Sequence, residues 1–177
     1  SSRLAEGGGC GLSQIRPILG QIARDFAAIE RVPAPRIKVG IVGEIYMKYA
    51  SLGNNGLERF LQSQGCEYCI PGVLGFGMYC MDSCGNDHRY YGGNWFKYLG
   101  GTIAKGYLTR VEEAMIEAVS QAGLRPPRPF SHTRELARGL IGHGSKMGEG
   151  WLLTAEMMEL IEEGFENVIC TQPFGCL

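Results

Sequence analysis

Glu44 is the first residue with chemical promise. It is the only carboxylate of the run Ile37 to Tyr46, and it stands where that apolar run gives out, in Gly43-Glu44-Ile45-Tyr46. A carboxylate placed directly after a buried strand must meet water or a hydrogen-bond donor, because burying it unpaired is too costly. Tyr46, Asn54, Asn55 and local backbone amides are the donors that the sequence offers nearby. A second strand-like run, Asn167 to Thr171, ends in Gln172-Pro173-Phe174-Gly175-Cys176. In open parallel sheets, ligands bind outside the carboxyl ends of the strands. If the strands are neighbours, Glu44, Tyr46, the Asn54/Asn55 loop, Gln172 and Cys176 line one rim. The plainer alternative is that strand ends simply carry turn residues.

Sulfur is the other candidate chemistry. Seven cysteines is an odd number, and they fall inside apparent strands and helices. That usage fits reduced thiols in a cytoplasmic protein better than a disulfide framework. Cys66 and Cys69 have CxxC spacing, but residues three apart on an extended strand point to opposite faces and cannot easily grip one metal. Cys80 and Cys84 can share a helix face, with no second pair nearby to complete a zinc site. Cys170 lies mid-strand and is expected in the core. Cys176 follows Pro-Phe-Gly, where a thiolate can be presented. His88, His132 and His143 form no recognisable spacing.

Two glycine-rich stretches fail as nucleotide motifs. Gly40-Ile41-Val42-Gly43 lacks the third glycine and the immediate helix of a dinucleotide fingerprint. Gly139 to Lys146 has Ser-Lys where a phosphate loop needs Lys-Ser/Thr, and it follows a helix rather than a strand. A generic anion site at the start of a helix near Thr154 stays open.

The elements that must position these residues are legible from periodicity. Ile37 to Ile45 is β-branched and nearly uncharged, which suits a strand covered on both faces. Asn54 or Asn55 can cap a helix over Gly56 to Gln64, Gly65 ends it, and Cys66 to Ile70 forms the next strand, giving a β-α-β unit. A helix capped by Ser13 runs to Arg31 and is ended by Pro33 and Pro35. Val73 to Tyr79 has no clear state, and Asp82 to Gly93 looks like a polar, aromatic loop. Asn94 to Ala122 is the longest helical pattern, followed by a stiff Pro126/Pro127/Pro129 connector. Thr133 to Leu140 and a Thr154-capped segment to Glu163 complete the helices. All three strands are expected to run parallel.

Composition narrows the function classes. With 17 basic and 18 acidic residues the net charge is −1, so no footprint for nucleic acid or an anionic membrane is visible. No apolar run approaches the ~20 residues of a membrane span. Residues 1–12 are expected to be disordered and 13–177 to form a single α/β domain. The absence of a closing element after Cys176 suggests a fragment of a longer chain.

At these same residues the chain resembles a known family. KVGIVGEIY with LGNNGLERFL, then EYCIPGVLGF, then GEGWLLTAEMMELIEEGFENVICTQPFGCL are similar to the activase-related proteins of the 2-hydroxyacyl-CoA dehydratase and benzoyl-CoA reductase group. The resemblance covers roughly Arg36 to Leu177. It implies a Rossmann-like α/β fold, a mostly parallel sheet flanked by helices with a helical insertion. It also implies iron–sulfur electron transfer to acyl-CoA-processing enzymes. Cys176 and Cys170 stand where the matching stretch has cysteines, which makes them the candidate metal ligands. The implied cofactor is a [4Fe-4S] cluster in a full-length protein, with none expected on these residues alone. The implied partners are other domains of the same longer protein, an ATP-dependent activator module among them. The activator's own nucleotide and cluster motifs are absent, so ATPase activity is not carried over. The expected function is thus a dehydratase-like domain contributing to an iron–sulfur, acyl-CoA or partner site at the strand rim. The alternative is a non-catalytic module that docks other domains.

Overall fold

A computed structural model describes residues 11–31 and 34–176. The disorder expected for residues 1–10 and the helix-ending role of Pro33 lie outside the described residues. In chain order the elements are α1 (Leu12–Ala27), β1 (Lys38–Gly43), α2 (Ile45–Tyr49), α3 (Leu57–Ser63) and β2 (Glu67–Cys69). They continue with α4 (Val73–Tyr91), α5 (Trp95–Gln121), α6 (Phe130–Leu136), α7 (Trp151–Glu162) and β3 (Asn167–Thr171). The chain is a mixed α/β protein. Among the described residues, no helix is long and apolar enough to cross a membrane.

The three strands are parallel in the order β2-β1-β3, as the apolar runs predict. Val39 pairs with Tyr68 on one side and Asn167 on the other, so β1 is the central strand. Every residue of β1 after Lys38 is buried. Its alternation decides what covers each face. Val39 and Ile41 pack on Leu61 of α3, with Cys66, Tyr68 and Ile169 beside them. Val42 faces the other way, onto Leu160 of α7 and Phe165.

β1 stops at Gly43, two residues earlier than its β-branched run suggests. Gly43 has φ +135°, and a Cβ there would lie 1.9 Å from the Thr171 carbonyl oxygen. Only glycine tolerates both the dihedral and the approach. The chain turns there, and Ile45 opens α2 instead of extending the strand.

The remaining helices form a layer with its own core, in which Met78, Tyr79, Phe130, Trp151, Leu152 and Ala155 are buried together. The predicted loop over Asp82 to Gly93 is instead the second half of α4. Its polar residues mislead because Asp82 and Asn86 continue, at i, i+4 spacing, the buried stripe begun by Met78 and its neighbour Tyr79. Asp82 binds Asn86 at 3.0 Å, Arg134 Nε of α6 at 3.0 Å and the Lys105 ammonium of α5. The α4 and α5 backbones approach closely at Gly101, where a Cβ would come 2.7 Å from Cys84 Cβ.

Helix boundaries elsewhere shift in consistent ways. α6 starts at Phe130 after Pro129, and α7 starts at Trp151 after Gly150, so Thr154 lies inside α7 and caps nothing. The first two amides of α7, Trp151 and Leu152, donate to the Ser145 and Glu149 carbonyls. α1 follows Gly11 without a side-chain cap, so Ser13 is not one. It lies along α5, with Arg16 paired to Glu117 at 2.5 Å.

Two outcomes follow from these constraints. Gly43→Ala is expected to lose about 2 kcal/mol or more in urea unfolding, through strain and the clash with Thr171. Burial alone would raise the Asp82 carboxyl, but the hydrogen bonds and charges of Lys105 and Arg134 hold it below its ordinary value. Its contribution is therefore present above the unfolded-state pKa and is lost as pH falls through the lower folded-state value. Urea midpoints from about pH 7 to about pH 2 should decline more steeply for the parent than for Asp82→Asn, which starts about 1–3 kcal/mol lower.

Candidate functional site

Glu44 finds its donor locally. Its carboxylate accepts from the Met47 amide at 3.0 Å and caps α2. Its own amide donates to the Thr171 carbonyl at 2.9 Å, which brings Glu44 and Gln172 to one edge. The Asn pair serves the next turn. Asn54 Oδ1 accepts from the Gly56 and Leu57 amides, both at 3.1 Å, in the turn that leads into α3, whose N-cap is Gly56, while Asn55 is exposed at φ +56°. The exposed Tyr46 ring lies over Gly53. Of the predicted rim, Glu44 and Gln172 are brought together, whereas Tyr46, Asn54 and Asn55 shape the α2–α3 loop.

Beneath this rim lie charges that sequence reasoning missed. Lys48 and Glu156 are 1% and 3% exposed, and the ammonium donates to both carboxylate oxygens at 3.1 and 2.9 Å. Glu149, 2% exposed, accepts from the Ile45 amide at 2.9 Å through Oε1. Its Oε2 and Gln172 Nε2 are buried without a hydrogen-bond partner among the described residues. Burial pushes the Glu156 carboxyl up, and the Lys48 ammonium draws it back. Tyr49 donates to the Pro71 carbonyl, tying α2 to the end of β2. Its hydroxyl is pushed up to about 12 by burial and then by the charge of Glu156. A signal for Glu156 did exist, since it falls between Leu152 and Leu160 on the buried stripe of α7.

The carboxyl end of β2 opens into a cavity of about 350 Å³. Ile70, Leu74, Met115, Phe130, Leu152 and Leu160 give it apolar walls. Glu156, Glu159 and Glu163 enter from one side of α7, and the exposed Arg125 and Arg128 line the proline-bearing segment, with Arg125 4.0 Å from Glu163. Glu159 receives the Thr133 hydroxyl at 2.7 Å, and burial pushes its carboxyl up. Cys69 also lines the cavity; burial, then Glu163, Glu159 and Glu67, push its thiol up and keep it protonated.

The cysteines divide as follows. Cys66 and Cys69 do sit on opposite faces of the sheet, and Cys84 Sγ lies 3.6 Å from the Cys80 carbonyl one turn away. Cys170, expected in the core, is exposed, because β3 is an edge strand whose packed residues are Val168 and Ile169. Cys176 is half-buried. No group of three or more His, Cys, Asp or Glu residues among the described residues is placed to hold a metal ion. The Cys170 thiol, though exposed at its edge, is pushed up by partial burial and by Glu149.

Comparisons of the chain with protein-family models, with characterised proteins and with solved structures find no match.

The buried ion pair makes a sharp energetic test. Lys48→Met or Glu156→Leu alone leaves one buried group without its partner and should lower stability by about 3–5 kcal/mol. The double variant Lys48→Met/Glu156→Leu should recover much of that loss. A double-mutant cycle in urea reads the coupling, and additive losses would mean the two groups act independently.

Proposed function

We propose that the chain is an acyl-thioester-binding module with a Rossmann-like sheet, akin to the dehydratase-like regions of 2-hydroxyacyl-CoA dehydratase activase-related proteins. The cavity beside β2 carries this reading. Its size lies in the range of small-molecule sites, and it sits at a strand's carboxyl end, where ligands collect in open α/β sheets. Apolar walls suit an acyl chain, and Arg125 and Arg128 suit the phosphates of coenzyme A. The strand order supports the sheet type, since β2 and β3 flank β1 with α3 and α7 on opposite faces. Glu44, Gln172 and Glu149 would brace the rim rather than touch the ligand, and no step is assigned to a metal cluster.

A docking role is the second reading, favoured by the apolar surface left on α1 and α5. Phe26, Phe96 and Ile103 are 61%, 78% and 67% exposed. Other domains of a longer chain, an ATP-dependent activator module among them, would be the partners.

Calorimetric titration with butyryl-CoA separates the two. Binding is expected, weaker for free coenzyme A, and reduced about tenfold or more by Arg125→Ala/Arg128→Ala. Absence of binding, or binding indifferent to both arginines, would leave the docking role.

A further inference from the structure

A second cavity, of about 340 Å³, lies on the far side of Phe130 and has no part in the reading above. It is enclosed by α4, α5 and the start of α6, with Met78, Pro129 and Phe130 as its apolar wall. It is lined by charges of both signs. Glu112 is 7% exposed, and its Oε1 accepts from the Phe130 amide at 2.8 Å. Among the described residues no cation pairs with Glu112, and the charges that raise its carboxyl, after burial, are the carboxylates Glu113 and Glu159. Glu113 lines the cavity as well.

Lys105 and Arg134 also line the cavity, and they share a single carboxylate, Asp82. One positive charge is therefore in surplus. Arg134 spends only Nε on Asp82, and its two Nη groups make no hydrogen bond among the described residues. A simple anion would face two carboxylates here, and a simple cation would face Lys105 and Arg134. A molecule carrying both charges satisfies both ends. Taking Glu112 out of water without a counter-charge is unfavourable, and an ammonium supplied by a ligand would offset that cost. A guanidinium with free Nη groups is suited to a carboxylate, which it can grip through two parallel bonds.

We infer that this cavity binds a zwitterion of amino-acid or dipeptide size with an apolar side chain, its ammonium against Glu112 and its carboxylate on Arg134. The apolar wall of Met78, Pro129 and Phe130 would receive the side chain.

The test is calorimetric titration of the whole chain with L-phenylalanine, phenylalaninamide and 3-phenylpropionate, which differ by one charge each. L-Phenylalanine should bind at least about tenfold more tightly than either truncated compound. Glu112→Gln keeps the acceptor for the Phe130 amide and removes the charge, so it should abolish the preference for L-phenylalanine over 3-phenylpropionate. Arg125→Ala/Arg128→Ala, in the other cavity, should leave phenylalanine binding unchanged, so failure of the acyl-thioester reading is seen separately. Equal affinity for the three compounds overturns the inference. So does no binding of L-phenylalanine up to about 10 mM. Should the Glu112 variant misfold, the ligand series on the parent chain decides alone.

Discussion

The Lys48–Glu156 pair is the contact on which the arrangement of the two layers rests. Lys48 belongs to the short helix that follows the central strand, and Glu156 to the helix that covers the sheet. Five-residue helices have little stability of their own. α2 persists because both its ends are held, by Glu44 on the Met47 amide and by Lys48 in the protein interior. A buried ion pair is poor evidence of net stability, because desolvation consumes most of what attraction returns. Its value lies in specificity: only one placement of α2 against α7 gives each charge its partner.

α7 is accordingly the shared wall of the molecule. Trp151, Leu152 and Ala155 belong to the helical core, and Leu160 to the core beneath the sheet. Glu156 stands between these groups, and Glu149 just ahead of the helix reaches the Ile45 amide. Among the described residues, α7 and the chain around it pack on both the sheet and the helical layer. Asp82 does the equivalent service inside the helical layer, where one carboxylate gathers groups from α4, α5 and α6.

Much of this was legible in the sequence, and the misses have a common cause. β1 and β3 announced themselves through apolar, β-branched runs, and β3 occupies the predicted residues Asn167–Thr171. Glu44 was readable because its partner is three residues away. Lys48, Glu149 and Glu156 were not, because their partners lie 104 to 108 residues off along the chain. The second half of α4 looked like a loop because its buried stripe is polar, and polarity in a short window signals solvent unless the distant partners are known. Cys170 was placed in the core because strand sequence shows periodicity but not position within a sheet, and an edge strand has fewer neighbours.

The shortness of β2 bears on how this chain meets other chains. A strand at the border of a sheet offers unpaired amides and carbonyls as a template for another strand, and that is a common route to association between folded molecules. On the β2 side the template is three residues long, with Glu67 at its start and Pro71 just beyond its end. Proline has no amide hydrogen to donate, so recruitment of a further strand stops almost where it begins. The sheet is thereby kept narrow on that flank, and the opening beside β2 stays clear of strands borrowed from neighbouring molecules.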